Sequence, residues 1–456
     1  MSSEYDLIVI GGGMAGLNTA MRASEAGKSV AIVERDRVGG SCPIRGCIPT
    51  KAIVRSAEIA HEARRAAEFG VHVGEVTVDF GAVMERARAI IDKGAAATRA
   101  WVESLDGAEL VEGEGRFVDA TTVAVGDRLL SAPRIVITTG AVPSVPPIAG
   151  IDDTPYMTSD DLLQLTTLPK RLLVIGAGPI ALELGQALGR LGSIVTMIEV
   201  MPTLLPMGEP ELVQILADQL ADEGVEILLG SMIDAVASTP DGGVRMTVTQ
   251  AGSTRDLQGD ALLAATGRAP DVAGLNLEAA GVAGDRRGLQ VDTRLQTTAG
   301  GVFAAGDVLG RPFGAFTHVA RRLGLEVTDN IFDWDSHAID PDIGPTAIFT
   351  DPEFASIGLT EHAAREAGHE VIIGTGHFRG GKARAWGEER GMVKIVASPD
   401  GSILGAHIVG YHAADLLHPV VVAMRSGTEA REIIRTSQHI HPTLGEVVKS
   451  AIDSAR

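Results

Sequence analysis

Apolar runs and amphipathic stretches alternate along this chain, and one arrangement of them occurs twice. Leu7–Ile10 is an unbroken apolar run, rich in β-branched residues, that reads as a buried strand. A glycine turn follows, then a helical stretch over residues 17–25 that Gly27 ends. A second strand over residues 29–33 closes on an acid, Glu34. The arrangement returns as a strand at Arg171–Ile175, a glycine turn, a helix over residues 182–191, a strand at Ile194–Ile198 and the acid Glu199.

Between the repeats, residues 52–67 and 80–102 read as helices, and residues 109–125 alternate as small antiparallel strands would. Residues 135–143 form a strand leading into a Gly/Pro turn that carries Thr139 and Gly140. After the second repeat, residues 261–271 and 301–307 are apolar runs ending in Gly turns, the first with Gly267 and the second closing on Asp307. The character then changes. Residues 346–357, 371–378, 392–396 and 403–409 predict an antiparallel sheet, with helices over 362–367, 413–426 and 428–434. The expected fold class is α/β, with two Rossmann-like dinucleotide-binding domains followed by an α+β domain.

The turns say what the repeated units hold. The first places Gly11, Gly13 and Gly16 as Gly-x-Gly-x-x-Gly, and the second places Gly176, Gly178 and Ala181 in the same frame. Such glycines let the backbone approach a pyrophosphate at the helix N-terminus, and the terminal acid accepts hydrogen bonds from an adenosine ribose. A lone glycine triplet is weak evidence, whereas a whole unit with its acid is strong. Two units imply two nucleotides, and the obvious use of two is hydride transfer between a nicotinamide and a flavin. Glu199 favours NAD over NADP, because a carboxylate repels a 2′-phosphate and residues 200–205 offer no basic side chain. Ala181 in the third position is a weaker signal the other way.

Composition narrows the class. At 456 residues the chain should hold two to four domains. The net charge of −20 and aromatic content of 4% disfavour nucleic acid and anionic membrane as partners. No apolar run is long enough for a membrane helix and no export signal is visible, so the cytoplasm is the expected location.

The chain's only two cysteines, Cys42 and Cys47, lie in residues 39–51, reading GGSCPIRGCIPTK. A zinc site would need about four ligands, and a structural disulfide closing so short a loop would gain little. Residues 48–51 look like a helix start, which would lower a neighbouring thiol's pKa. On spacing alone, inert thiols and a redox-active dithiol stay equally open.

Six motifs taken together resemble the FAD-dependent pyridine nucleotide–disulfide oxidoreductases, with the dihydrolipoamide dehydrogenases looking closest. They are residues 11–34, 39–51, 176–199, 265–270, 302–307 and 439–446. The resemblance implies an FAD domain (1–145 and, after an insertion, 265–335), an inserted NAD domain (146–264) and an interface domain (336–456) that forms a homodimer. It implies that Cys47 is the thiol next to the flavin and that Cys42 exchanges with substrate. His441, oriented by Glu446, would be the acid–base and would serve the partner subunit's site. Lys51 and Glu183 would pair near the reactive edge of the flavin. FAD would be held by Gly11, Gly13, Gly16, Glu34, Gly40, Ser41, Lys51, Thr139, Gly140, Asp307 and His318. NAD would be held by Gly176, Gly178, Ala181, Glu183, Glu199 and Gly267. The implied substrate is dihydrolipoamide on a lipoyl-bearing carrier protein; the alternatives are an NAD(P)H-dependent reductase of a small disulfide, metal or quinone acceptor and, behind it, a redox-sensing flavoprotein subunit.

The chain departs from its relatives between the cysteines. Pro43-Ile44-Arg45-Gly46 stands where lipoamide dehydrogenases usually show Leu-Asn-Val-Gly. Arg45 puts a cation between the thiols, which suits either a lowered thiol pKa or recognition of an acidic substrate group. Pro179 and Gly445 replace larger residues. His439 reads as structural, and no metal is expected.

Overall fold

The two repeated units fold into two parallel five-stranded sheets of matching order. In the computed structural model, which describes residues 3–313, 315–341 and 344–455, the first sheet runs Val302–Ala304, Ile135–Ile137, Leu7–Ile10, Val30–Glu34, Ala108–Glu112. The second runs Met157–Thr158, Ala261–Ala264, Arg171–Ile175, Ile194–Ile198, Glu226–Leu228. Each fingerprint strand sits at the centre of its sheet, and apart from the exposed Arg171 both are buried on both faces, which is why they read as apolar runs. The order reverses beside each central strand, and the crevice at that switch point is where such sheets take ligands.

Ala108–Glu112 differs from expectation. It pairs parallel with Val30–Glu34 as the edge of the first sheet, while Gly115–Asp119, Thr122–Val125 and Arg128–Ser131 form the antiparallel sheet. Alternation marks a half-exposed strand but does not name its neighbour, and an edge strand of a parallel sheet is half-exposed too.

The fingerprint helices start earlier than the apolar pattern suggests, at Met14–Glu25 and Pro179–Leu191. Each begins inside its glycine turn, so the unpaired N–H groups of the first turn face the turn's mouth. Pro179 suits the first helical position, where its missing N–H would have had no partner.

The chain passes from the first unit to the second and back along one narrow ribbon. Ala141–Pro143 and Arg268–Pro270 pair antiparallel there. The last sheet runs Thr346–Ile348, Glu353–Gly358, Ile403–Gly410, Met392–Ala397, Ile372–His377, all antiparallel. The expected single strand over 346–357 is thus a pair of strands joined by a turn at Thr350–Pro352. Helix Gly445–Ser454 lies directly on Ile372–His377, because Gly374 and Gly376 leave it room. A Cβ there would come within 2.1 Å of Ala451 O and 2.3 Å of Val447 O. Among the described residues no helix is long and apolar enough to cross a membrane.

Candidate functional site

The dithiol loop is a tight reversal ahead of a long helix. Arg45 N and Gly46 N both donate to Ser41 O, at 2.9 and 2.7 Å. A Cβ on Gly46 would lie 3.1 Å from Ser41 O and 3.5 Å from Cys42 Cα, so glycine allows the loop to double back. The reversal delivers Cys47 as the first residue of helix Cys47–Arg65 and leaves Cys42 in the short helix Ser41–Ile44. Both cysteines are free thiols.

Their proton affinities are split. The hydrogen bond from Cys42 holds the Cys47 thiol down at about 6, against the opposing effect of burial, with help from the Lys51 charge and Thr317. Thr317 Oγ1 is 3.9 Å from the Cys47 sulfur. Cys42 is pushed far up by giving its hydrogen bond to Cys47 and by burial. One thiolate and one thiol therefore share the site near neutral pH.

Lys51, one turn into the same helix, meets Glu183 of the second unit at 2.6 Å. The buried Glu183 carboxylate also accepts the Phe349 N–H at 2.9 Å, and the Lys51 ammonium lies 4.4 Å over the Phe349 ring. Three domains meet at this pair. Arg45 points elsewhere: its guanidinium is ion-paired with Asp36, whose backbone N–H donates to Glu34 at 2.9 Å. Arg45 is not among the leading influences on either thiol.

The acids that close the two units are held alike. Glu34 accepts from Gly12 N at 2.8 Å and Asp36 N at 2.9 Å, and Glu199 accepts from Ala177 N at 2.8 Å and Met201 N at 2.9 Å. The first glycines, Gly11 and Gly176, have φ of +108° and +95°, where a side chain is strained. Gly16 is locked in: a Cβ would sit 2.0 Å from Gly11 O. At Gly178 an added Cβ would meet nothing within 4 Å, and at Gly13 the nearest atom would be Gly40 Cα at 3.7 Å. These turns leave backbone-lined cradles of the kind a pyrophosphate fills, so the residues present fit FAD and NAD.

Around the first cradle, Thr139 Oγ1 donates to Asp271 O at 2.6 Å, and Gly140 O accepts from Asp271 N at 2.9 Å. Gly267 O accepts from Ser144 N at 2.9 Å on the connecting ribbon. Burial pushes the Asp307 carboxyl above its usual range, with Arg268 opposing it. His318 stacks on Phe316 at 5.6 Å.

His441 and Glu446 meet as expected, Nδ1 lying 3.0 Å from Oε1. The Thr443 N–H and then His441 hold the Glu446 carboxyl below its usual range. His441 is 77% exposed and has no contact with either thiol among the hydrogen bonds of the described residues. Those residues contain no group of three or more His, Cys, Asp or Glu arranged to hold a metal.

Two contacts escaped sequence reading. Arg268 pairs with Asp160 at 2.7 Å and donates to Ser41 Oγ at 3.3 Å, tying the ribbon to the start of the dithiol loop. Phe349 backs the Lys51–Glu183 pair. Arg268 stood in a recognised motif and could have been flagged; Phe349 had no local signal.

A fold with two dinucleotide units, a dithiol at the head of a helix and a separate antiparallel domain defines a flavin-linked disulfide oxidoreductase. The chain belongs to the pyridine nucleotide-disulphide oxidoreductase family: that family model matches residues 5–324, and its dimerisation domain matches residues 344–452. It is 32% identical to the dihydrolipoyl dehydrogenase of Bacillus subtilis, over 99% of this chain and 98% of that protein. It is 35% identical to a mercuric reductase of Lysinibacillus sphaericus, over 95% of this chain and 79% of that one. Among solved structures it resembles the HOCl-induced flavoprotein disulfide reductase RclA of Escherichia coli, at a TM-score of 0.89 and 28% identity over 99% and 100% of the two chains. FAD and NAD are its cofactors.

Proposed function

We propose that this protein oxidises dihydrolipoamide on a carrier protein with NAD as the final acceptor, through its Cys42–Cys47 pair. The observation that carries the reading is the split between the thiols, Cys47 near 6 and Cys42 far above it. In disulfide exchange the sulfur of lower pKa leaves faster. A substrate thiolate attacking Cys42 therefore breaks the Cys42–Cys47 bond and expels Cys47 as a thiolate. The second substrate thiol attacks the mixed disulfide, closes the lipoamide ring and releases Cys42. Cys42 keeps one of the two substrate protons, and His441 of the partner subunit takes the other, with Glu446 fixing its tautomer. FAD and NAD, when bound, would take up the electron pair of the dithiol and supply the hydride chemistry between flavin and nicotinamide. Lys51 favours negative charge beside the site, and Glu183 and Phe349 hold Lys51 in place.

This division of roles requires a homodimer. The dimerisation-domain match and the outward-facing His441 and Ile440, 77% and 79% exposed, support one. The pairing of Arg45 with Asp36 favours a neutral substrate such as lipoamide, because it commits the cation that an acidic disulfide would have used. The test is steady-state turnover with dihydrolipoamide and NAD⁺. Cys47→Ser should abolish it, and full turnover in that variant would overturn the mechanism.

A second reading keeps the dithiol and changes the acceptor to a metal ion or another disulfide. The mercuric reductase relative and the copper(II) complex of RclA favour it. Negligible activity with lipoamide, beside NADH-dependent reduction of another acceptor, would select it.

A further inference from the structure

A buried ion cluster joins the NAD unit to the C-terminal domain. Lys394, on strand Met392–Ala397, has a side chain only 5% exposed. Its ammonium touches Glu209 at 2.8 Å, Glu211 at 2.5 Å and Glu361 at 2.9 Å. Glu209 and Glu211 stand at the start of helix Pro210–Asp222 in the second unit, and Glu361 opens helix Glu361–Glu366 in the last domain. The Glu209 carboxylate does not cap its own helix; it accepts the Glu361 N–H at 2.6 Å. His407 closes one side, with Nε2 3.0 Å from Leu359 O, and burial keeps its ring below the usual imidazole range. Arg365 also pairs with Glu361, at 2.8 Å. Burial opposes the charge on Lys394, and its three carboxylate partners more than reverse that. Without the ammonium, the buried Glu209 and the partly exposed Glu211 and Glu361 would converge with only Arg365, on Glu361, and His407, 3.9 Å from Glu209, to offset them.

The cluster also anchors a segment that starts at the cofactor. Residues 199–209 run from the ribose acid to Glu209. At the near end Met201 N donates to Glu199 at 2.9 Å, and Met201 O accepts from Gly230 N at 2.9 Å. At the far end Gly208 is wedged against the last domain, where a Cβ would lie 3.1 Å from Phe354 Cζ and 2.8 Å from Val213 Cγ2. Between the ends Val200 and Met207 are 58% and 82% exposed, and Leu204 alone is buried, packed into the core beside the second unit. We propose that Lys394 is a positioning residue for the nicotinamide dinucleotide: it clamps Glu209 and Glu211 to the C-terminal domain and so holds the segment that carries Glu199 in register for the ribose. This rests on the second fingerprint being the NAD site.

The test is calorimetric titration of the oxidised holoenzyme with NAD⁺, beside alkylation of the dithiol in the reduced form. Lys394→Met should weaken NAD⁺ binding by roughly fivefold, the scale of a coupling carried through one rigid element. The rate and pH midpoint of Cys47 alkylation should stay unchanged. A folded Lys394→Met with wild-type NAD⁺ affinity, or an alkylation midpoint that moves with it, overturns the proposal. If that variant does not fold, Glu209→Gln serves, with about a threefold loss expected and an unchanged affinity overturning the idea. A wild type that binds no NAD⁺ would overturn the assignment of residues 176–199 together with this one.

Discussion

At Gly13 and Gly178 the two fingerprints put the same residue in the same turn, with different surroundings. The residues 39–40 loop lies over the first turn so closely that a Cβ on Gly40 would stop 2.7 Å from Gly13 Cα. Helix Thr317–Phe332 packs onto helix Met14–Glu25 through Gly324, where a Cβ would be 2.3 Å from Ala15 O. The third position admits no side chain at Gly16 yet takes the fully buried Ala181 without difficulty. Nothing lies above Gly178, and Glu199, the acid that closes its unit, is followed by the exposed Val200 and Met201. An enclosed dinucleotide leaves slowly and an open one exchanges. The same local design thus suits a flavin that stays through many turnovers and a nicotinamide that departs after each.

The largest effect expected from this contrast is at Gly16. Gly16→Ala forces a Cβ into Gly11 O, an overpacking of about 3 kcal/mol or more, so FAD affinity should fall by roughly a hundredfold and flavin content of the purified protein should drop with it. The opposite exchange, Ala181→Gly, should cost only about 1 kcal/mol of helix stability and leave flavin content intact. Equal flavin loss in both variants would erase the distinction between the units.

Next comes Gly178→Ala. Its methyl group meets no protein atom and should leave the melting temperature unchanged. It would occupy the open cradle, so KM for NADH should rise by about tenfold while flavin content holds. A shift in flavin content instead would reverse the assignment of the two sites.

Lys51→Met should raise the midpoint of Cys47 alkylation from about 6 by about one pH unit, because an ammonium that favours the thiolate is gone. Iodoacetamide reactivity then rises later on the way up in pH. An unmoved midpoint would leave the hydrogen bonds from Cys42 and Thr317 to carry the shift.

The smallest effect lies outside both units and serves as a control. Burial pushes the Glu353 carboxyl up to about 7, with the Ala414 N–H opposing it. The folded state therefore holds that proton more tightly than the unfolded chain, and stability falls as pH rises from the ordinary carboxylate range through 7. Glu353→Gln keeps an acceptor for the N–H and removes the charge. It should stabilise the protein by about 1–2 kcal/mol at pH 8 and by almost nothing at pH 4, without changing either cofactor. A stability gain independent of pH would contradict the burial argument.

What the sequence revealed was largely what lies close along the chain. Both fingerprints were legible because strand, turn, helix and acid fit within about thirty residues. The His441–Glu446 contact spans only five residues, yet it was anticipated through the family resemblance. The Lys51–Glu183 pair spans 132 residues, and only family resemblance anticipated it. The Phe349 N–H on Glu183, 166 residues away, and the Lys394 contact with Glu209, 185 away, had no local signature. Arg45 shows the same limit in reverse. Its position between the cysteines suggested a thiol or substrate partner, but the loop turns it onto Asp36. Spacing places a side chain near a site, and the tertiary fold chooses what it touches.

The central claim is that NADH and the Cys42–Cys47 pair are linked through the bound flavin. The direct measurement is a count of alkylatable thiols in the peptide spanning residues 41–51, after anaerobic addition of one equivalent of NADH to the oxidised holoenzyme. The account predicts no reactive cysteine before addition and two afterwards, Cys47 labelling first and down to about pH 6. An unchanged count after the flavin and nicotinamide have exchanged electrons would contradict it.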